Sequence, residues 1–224
     1  MSVAPRHLRL PMLPSIKDIL RMYEIKARRQ LSQNFLLDMN LTRKIVSFLN
    51  ITETSRVCEV GPGPGGITRA ILERFPQKLE VVEKDARFLP SLELLADASQ
   101  GLLTVTVGDI RNHDFSSIFP LSTYRSWDEE PPDTFVVGNL PFNVSTYLIT
   151  RWFRAMCLRE GPFICGRTNL VLTFQKEVGE RLVAPILHAQ RCRLSVVCQA
   201  FCEPTFKFTI PGRTFFVYCK KCVH

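Results

Sequence analysis

The feature that most constrains this chain is a regular alternation of short apolar segments with amphipathic ones, which begins at Arg56. The apolar segments predict strands at residues 56–60, 79–82, 102–107, 135–137 and 170–174. Helical patterns follow them at residues 67–74, 86–96, 144–156 and 175–184. Strands that alternate with helices form a mostly parallel sheet with helices on both faces. We therefore predict an α/β fold, in which ligands bind beyond the carboxyl ends of the strands.

Two helices are expected before this alternation. Ser15 and Asp18 form a start signal for a helix over residues 15–31, and Asp38 is expected to cap a second helix that ends near Leu49. This divides the chain into a basic N-terminal helical extension (residues 1–50), an α/β domain (51–215) and a short tail (216–224). Within the domain, the polar, proline-bearing residues 115–133 predict an insertion or long loop.

Length and charge narrow the class of protein. The 224 residues are enough for one α/β domain, and no apolar run approaches a membrane span, so we expect a soluble globular protein without a membrane partner. Basic residues outnumber acidic ones by seven to two in residues 1–30, which hold more than half of the net charge of +8. This segment fits a solvated helix face, an RNA-contacting arm or a mitochondrial presequence, and charge alone favours the first.

Cysteine usage predicts neither disulfides nor a metal site. The chain has eight cysteines and no secretory signal, so we expect free thiols. Cys219 and Cys222 form a C-x-x-C pair that stands alone, without a second pair at zinc-finger spacing.

A glycine-rich loop lies between the first predicted strand and its helix, where residues 59–66 read Glu-Val-Gly-Pro-Gly-Pro-Gly-Gly. Glycines let the backbone turn tightly and approach a ligand closely, and the helix that follows offers free N–H groups to a polar ligand. Gly61, Gly63 and Gly66 also satisfy the dinucleotide pattern G-x-G-x-x-G. The loop therefore predicts a ligand site without choosing the ligand.

Two acidic residues follow the second and third predicted strands. Glu83 can accept hydrogen bonds from both hydroxyls of a ribose, and its place one strand–helix unit after the glycine loop favours that role over a surface glutamate. Asp109 follows Gly108 and can accept from the exocyclic amine of an adenine, although aspartate is also common in turns. Together they predict a site for an adenosine-bearing cofactor.

The segment Asn139, Leu140, Pro141 and Phe142 follows the fourth predicted strand. The Asn139 side-chain carbonyl and a backbone carbonyl beside Pro141 can each accept one hydrogen of an adenine amine. Two such acceptors favour a pyramidal nitrogen whose lone pair points outward, which stabilises a transition state for alkylation of that nitrogen. Phe142 can stack on the base.

This order of motifs resembles the ribosomal RNA adenine dimethyltransferases, which depend on S-adenosylmethionine. The resemblance runs from about residue 14 to Phe215, and includes Gln33, Asn34, Phe35 and Leu36 before the glycine loop. Further segments that carry it lie at residues 30–38, 60–68, 82–85, 127–132, 172–178 and 208–212. It implies a Rossmann-like class I methyltransferase fold and a mitochondrial address in the matrix.

The resemblance also implies a role for each matching residue. Cofactor-binding roles fall on Gln33, Asn34, Leu36, Gly61, Gly63, Glu83, Lys84, Asp109, Ile110 and Asn139. Roles at the target adenine fall on Asn139, Leu140, Pro141, Phe142 and Phe215, the last as a second aromatic that packs on the base. The implied substrate is a pair of adjacent adenosines in the 3′-terminal hairpin of mitochondrial small-subunit rRNA, each receiving two methyl groups from a monomeric enzyme.

After Phe215 the chain departs from the family pattern. The closing apolar strand and the helical C-terminal domain are expected to be missing, which would leave an exposed sheet edge and weaken RNA binding. The alternative function is a catalytically impaired form that binds RNA or the mitochondrial transcription machinery. An NAD-dependent oxidoreductase ranks behind both, because it explains neither the segment at Asn139 nor the one at Gln33.

Overall fold

The structure is a computed structural model that describes residues 13–25, 36–140, 142–210 and 214–222. Side chains are described for these residues except 142, 143 and 214–222. The elements and contacts below concern those residues.

A seven-stranded sheet with the order β3-β2-β1-β4-β5-β7-β6 forms the centre of the molecule. Its strands are β1 (Arg56–Val60), β2 (Lys78–Glu83), β3 (Leu103–Val107), β4 (Thr134–Gly138), β5 (Asn169–Gln175), β6 (Cys202–Ile210) and β7 (Thr214–Cys222). The first five are parallel, and β7 runs antiparallel to both β5 and β6. The predicted α/β fold with a mostly parallel sheet is confirmed.

Helices cover both faces of the sheet. They are α1 (Ile16–Met22), α2 (Met39–Ser47), α3 (Gly66–Leu72), α4 (Leu89–Ala98), α5 (Phe142–Leu158), α6 (Lys176–Val183) and α7 (Arg193–Phe201). Successive strand residues point to opposite faces, so Val57 joins the core beneath α2, α3 and α4, while Cys58 joins the core beneath α5 and α7. In the described ranges, no helix has the length and apolar character needed to cross a membrane.

The two N-terminal helices begin where the sequence predicts. The Ser15 side chain accepts a hydrogen bond from the Asp18 N–H, and Asp38 caps α2 by accepting from the Asn40 N–H at 2.8 Å. Helix α1 ends at Met22, earlier than predicted, because Glu24 adopts a positive φ of 51° that a right-handed helix does not allow. Residues 26–31 of that predicted helix lie outside the described part of the chain.

The prediction that the closing strand is missing is wrong. Strand β7 lies between β5 and β6, and its Phe215 and Phe216 pair with Phe174 and Thr173 of β5. The ladder is made by backbone groups, and a segment rich in aromatic and β-branched residues fits it without matching the family's usual ending. The sheet edge next to β5 is therefore covered.

The insertion at residues 115–133 contributes to the core as well as forming a connection. It contains short 3₁₀ turns, and Phe115, Ile118, Phe119 and Trp127 are buried against α5. Their apolar side chains anchor a segment that its polar and proline residues alone would predict to be a loose loop.

Candidate active site

Four of the predicted motifs lie side by side at one edge of the sheet, namely the edge formed by the carboxyl ends of the parallel strands. Gly61 follows β1, Glu83 ends β2, Asp109 follows β3 and Asn139 follows β4. Because these parallel strands are neighbours in the order β3-β2-β1-β4, their carboxyl ends bring the four residues together.

A cleft of about 320 Å³ opens at this edge. Its lining includes six of the predicted site residues, namely Gly61, Glu83, Lys84, Asp109, Ile110 and Leu140. This volume lies within the range of small-molecule pockets, which is roughly 300–1,000 Å³. Its walls combine acidic groups with apolar ones, a combination suited to a ligand that carries both hydroxyls and an aromatic ring.

The glycine loop leaves space at the floor of this cleft. Gly61 has a φ of 62°, a left-handed conformation that favours glycine, and a Cβ built there would meet no atom within 4 Å. The Gly61 N–H donates to the Val82 carbonyl at 3.0 Å, which ties the loop to β2. The loop is thus held in place while its backbone remains open to a ligand.

Glu83 is held by two backbone amides. Its side chain is buried, and its carboxylate accepts from the Gly63 N–H at 3.0 Å and from the Asp85 N–H at 2.8 Å. Burial raises the pKa of Glu83, while the hydrogen bonds from Asp85 and Gly63 oppose that shift. The carboxylate is thereby fixed in orientation at the side of the cleft, as a ribose-binding role requires.

Asp109 is paired with two basic side chains. Arg111 Nε donates to Asp109 Oδ1 at 2.9 Å, and Lys84 Nζ lies 3.0 Å from Oδ2. The Arg111 hydrogen bond is the main cause that lowers the pKa of Asp109 well below its ordinary value. A ligand amine that bonds to Asp109 must therefore share this carboxylate with the Arg111 guanidinium or displace it.

Asn139 is half-buried and its side-chain Oδ1 accepts from the Thr173 hydroxyl at 2.7 Å. Leu140 is buried beside it and lines the cleft. Pro141 lies outside the described residues, and Phe142 is the first residue of α5, with its side chain outside the description. The predicted acceptor is therefore in place at the end of β4.

The other predicted residues are only partly described. Gln33 and Asn34 lie outside the described residues, whereas Leu36 packs against the core beneath α2 and α3. The backbone of Phe215 pairs with Phe174 near the carboxyl end of β5, the strand next to β4. This places Phe215 at the same edge of the sheet as Asn139.

Sequence reasoning missed several residues around the cleft. Arg111, Val144, Tyr147 and Leu148 also line it, three of them at helical spacing on α5. The helical spacing of residues 144, 147 and 148 was the one sequence signal that could have indicated which face of α5 lines the cleft.

Beneath the glycine loop, the buried Glu59 accepts a hydrogen bond from the Thr68 hydroxyl at 2.7 Å, and burial raises the pKa of Glu59 to about 8.

The sheet order and the cleft at the ends of β1 to β4 define a class I methyltransferase fold. Among solved structures, a dimethyladenosine transferase from Plasmodium falciparum aligns with a TM-score of 0.61 at 20% identity, covering 84% of this chain and 63% of that one. An RNA methyltransferase from Salinibacter ruber, in complex with S-adenosyl-L-homocysteine, aligns with a TM-score of 0.51 at 15% identity, covering 84% and 94%. At these identities the likeness establishes the fold.

Sequence comparison identifies the family. Residues 24–216 match the family described as ribosomal RNA adenine dimethylase. Dimethyladenosine transferase 1, mitochondrial, of Xenopus tropicalis is 50% identical over 92% of this chain and 60% of that protein, and its human counterpart is 49% identical with the same coverage. The chain belongs to the ribosomal RNA adenine dimethylase family, and it spans about three fifths of the length of these relatives.

Proposed function

We propose that this chain binds S-adenosylmethionine in the cleft and methylates adenine N6 in ribosomal RNA. The observation that carries this proposal is that Glu83 and Asp109 line one cleft, while Asn139 follows β4 directly before Leu140, which also lines it. The family match and the product-bound Salinibacter structure support the choice of cofactor over NAD.

The residues of the cleft fit the adenosine part of this cofactor. Glu83 presents a buried, oriented carboxylate for the ribose hydroxyls, and Asp109 presents a partly exposed carboxylate for the adenine amine. Ile110 offers apolar surface to the ring, and the open backbone at Gly61 leaves room for the methionine part. Gln33, Asn34 and Leu36 are proposed to close over that part, and Lys84 to lie beside the ribose.

When bound, the cofactor would supply an electrophilic methyl group on a positively charged sulfur. The lone pair of the adenine N6 would take this methyl group, the electrons of the S–C bond would remain on sulfur, and one N6 proton would pass to water. Asn139 and the backbone at Leu140 and Pro141 would accept the amine hydrogens, so that the lone pair points at the methyl group. Phe142 and Phe215 would stack on the extruded base.

The substrate and location are also proposals. The relatives named mitochondrial dimethyladenosine transferase 1 support adenosine dimethylation in mitochondria. From the sequence resemblance we propose mitochondrial small-subunit rRNA as the substrate, with two adjacent adenosines in the 3′-terminal hairpin each dimethylated. They also support a mitochondrial location, which we place in the matrix. Contact with the transcription machinery and a monomeric state stay predictions.

The decisive experiment is transfer of label from radiolabelled S-adenosylmethionine to the 3′-terminal hairpin, with Asn139→Ala as the comparison variant. We expect N6,N6-dimethyladenosine from the wild type and loss of at least a hundredfold of that activity in the variant. Cofactor binding, measured by calorimetry, without any label in RNA would overturn the enzymatic proposal. The binding form without turnover would then be favoured.

A further inference from the structure

Thr173 is a buried hydroxyl in an apolar strand. Strand β5 reads Asn-Leu-Val-Leu-Thr-Phe-Gln, and Thr173 is only 1% exposed between the buried Leu172 and Phe174. Valine has the same shape and the same strand preference, and it would not bury a polar group. A buried hydroxyl is costly unless it is hydrogen-bonded, so the partner of Thr173 indicates what the hydroxyl does.

That partner is Asn139, the proposed acceptor of the target amine. The Thr173 hydroxyl donates to Asn139 Oδ1 at 2.7 Å. The register of the sheet produces this contact, because Gly138 pairs with Leu172, and Asn139 and Thr173 are the residues that directly follow this pair in the chain. The bond thus joins the carboxyl ends of β4 and β5 at the edge where the cleft opens.

We infer that Thr173 is a positioning residue for methyl transfer, and that its hydroxyl holds the Asn139 amide with the carbonyl oxygen turned toward the substrate site. This inference rests on the proposed function. A side-chain amide can turn by half a rotation and exchange its oxygen for its NH₂ group. Only the oxygen can accept a hydrogen from an adenine amine, because the NH₂ group would oppose one donor with another.

The hydrogen-bonding capacity of threonine explains why the hydroxyl selects one orientation. Within the described part of the chain, the bond to Asn139 is the one hydrogen bond of the Thr173 side chain. If the amide NH₂ faced Thr173, the hydroxyl hydrogen would lack that acceptor in a buried place. A carbonyl oxygen has two lone pairs, so a bond to Thr173 is compatible with a second bond to the target amine.

The test compares Thr173→Val with Thr173→Ser in methyl transfer to the hairpin, with kcat and KM measured separately. We expect the valine variant to lower kcat at least tenfold, while KM for the hairpin and Kd for S-adenosylmethionine change less than twofold. The serine variant should recover kcat to within threefold of wild type, because it restores the hydroxyl.

A matched control lies at the other end of the same two strands. Thr134 of β4 and Thr168, which precedes β5, are buried with their hydroxyl oxygens 2.9 Å apart. Thr134→Val removes a hydroxyl of the same kind about 16 Å along the strand from Asn139. It should leave kcat unchanged, and thermal melting should show that all three variants fold.

Two outcomes would overturn the inference: an active wild type with a valine variant of equal kcat, or a serine variant no better than the valine variant. An inactive wild type would instead refute the proposed function. In that case the amide signals of the Asn139 side chain in nitrogen-15 NMR still test the orientation. They should be one sharp pair in the wild type and become shifted or broadened in Thr173→Val, and identical spectra would refute the contact.

Discussion

Gly66 lies directly against the backbone of Leu36: a Cβ atom built on Gly66 would approach the Leu36 carbonyl oxygen to 2.8 Å. Real Cβ atoms do not come so close to an oxygen, so an alanine at this position must displace one of the two segments. Leu36 is one of the residues that we propose to close over the cofactor. The start of α3 and this closing segment are therefore in direct steric contact.

We predict that Gly66→Ala lowers the affinity for S-adenosylmethionine about tenfold, because it moves the Leu36 backbone away from α3. The rest of the fold should remain, since Gly66 occupies the first turn of α3, where alanine is otherwise well accepted. Calorimetric titration gives the affinity, and circular dichroism checks the fold. An unchanged Kd would show that the segment at Leu36 does not contribute to binding.

Glu83→Gln should weaken cofactor binding by at least tenfold. The amide NH₂ of glutamine cannot accept from a backbone N–H, so one of the two bonds from Gly63 and Asp85 is lost and the side chain is no longer held in its orientation by both amides. The same titration measures the effect. Glu93→Gln is the control, because Glu93 is exposed on α4 and away from the cleft; an equal loss there would contradict the assignment.

The buried Glu59 should make stability fall as the pH rises. Its pKa of about 8 in the folded state exceeds the ordinary 4.5, so between these values the unfolded chain releases a proton that the folded chain keeps. The contribution of Glu59 to the free energy of unfolding is therefore fully present below about pH 4.5 and is lost progressively as the pH rises to about 8. Glu59→Gln is neutral in both states and can still accept from Thr68.

We accordingly expect Glu59→Gln to gain about 3 kcal/mol of stability relative to wild type as the pH increases from 5 to 7.5. Urea denaturation at both pH values measures the difference. If the difference in unfolding free energy between the two proteins is the same at pH 5 and at pH 7.5, Glu59 is ionised in the folded protein.

Trp127→Ala should destabilise the protein by about 3 kcal/mol, because the side chain is buried in the core beneath α5. The Arg159 guanidinium also lies 5.5 Å from the centre of its ring. Leu121→Ala, in the same insertion but 73% exposed, should change stability by less than about 0.5 kcal/mol. Equal unfolding free energies for the two variants would mean that the insertion is not anchored by Trp127.

The sequence alone was sufficient to predict the strands that are buried on both faces of the sheet. Predominantly apolar segments mark β1, β4 and β5, and the structure extends the predictions for β4 and β5 by one residue at each end. Helix α7 and strand β6 were not predicted. Strand β6 is a largely exposed edge strand, so its sequence lacks a clear apolar alternation. Strand β7 was missed because its Lys220 and Lys221 interrupt the apolar pattern, and in the structure these two residues lie where the register between β6 and β7 shifts.

The site was predictable as far as it depends on position along the chain. Glycine loops and residues at strand ends occupy fixed places in an α/β fold, so Gly61, Glu83, Asp109 and Asn139 could be assigned to one edge. Contacts between side chains from different strands could not be assigned in this way. The bond from Thr173 to Asn139 depends on the register of β4 against β5, which a single sequence does not contain.

The position of β7 between β5 and β6 has a consequence for the order in which the molecule assembles. Strand β6 is synthesised first, yet its only neighbour in the described sheet is β7, which follows it in the chain. During translation β6 therefore has no strand to pair with until residues 214–222 have emerged, and β5 keeps an open edge for the same interval. Open strand edges are where chains pair with one another, so this interval is when a nascent molecule is most exposed to aggregation.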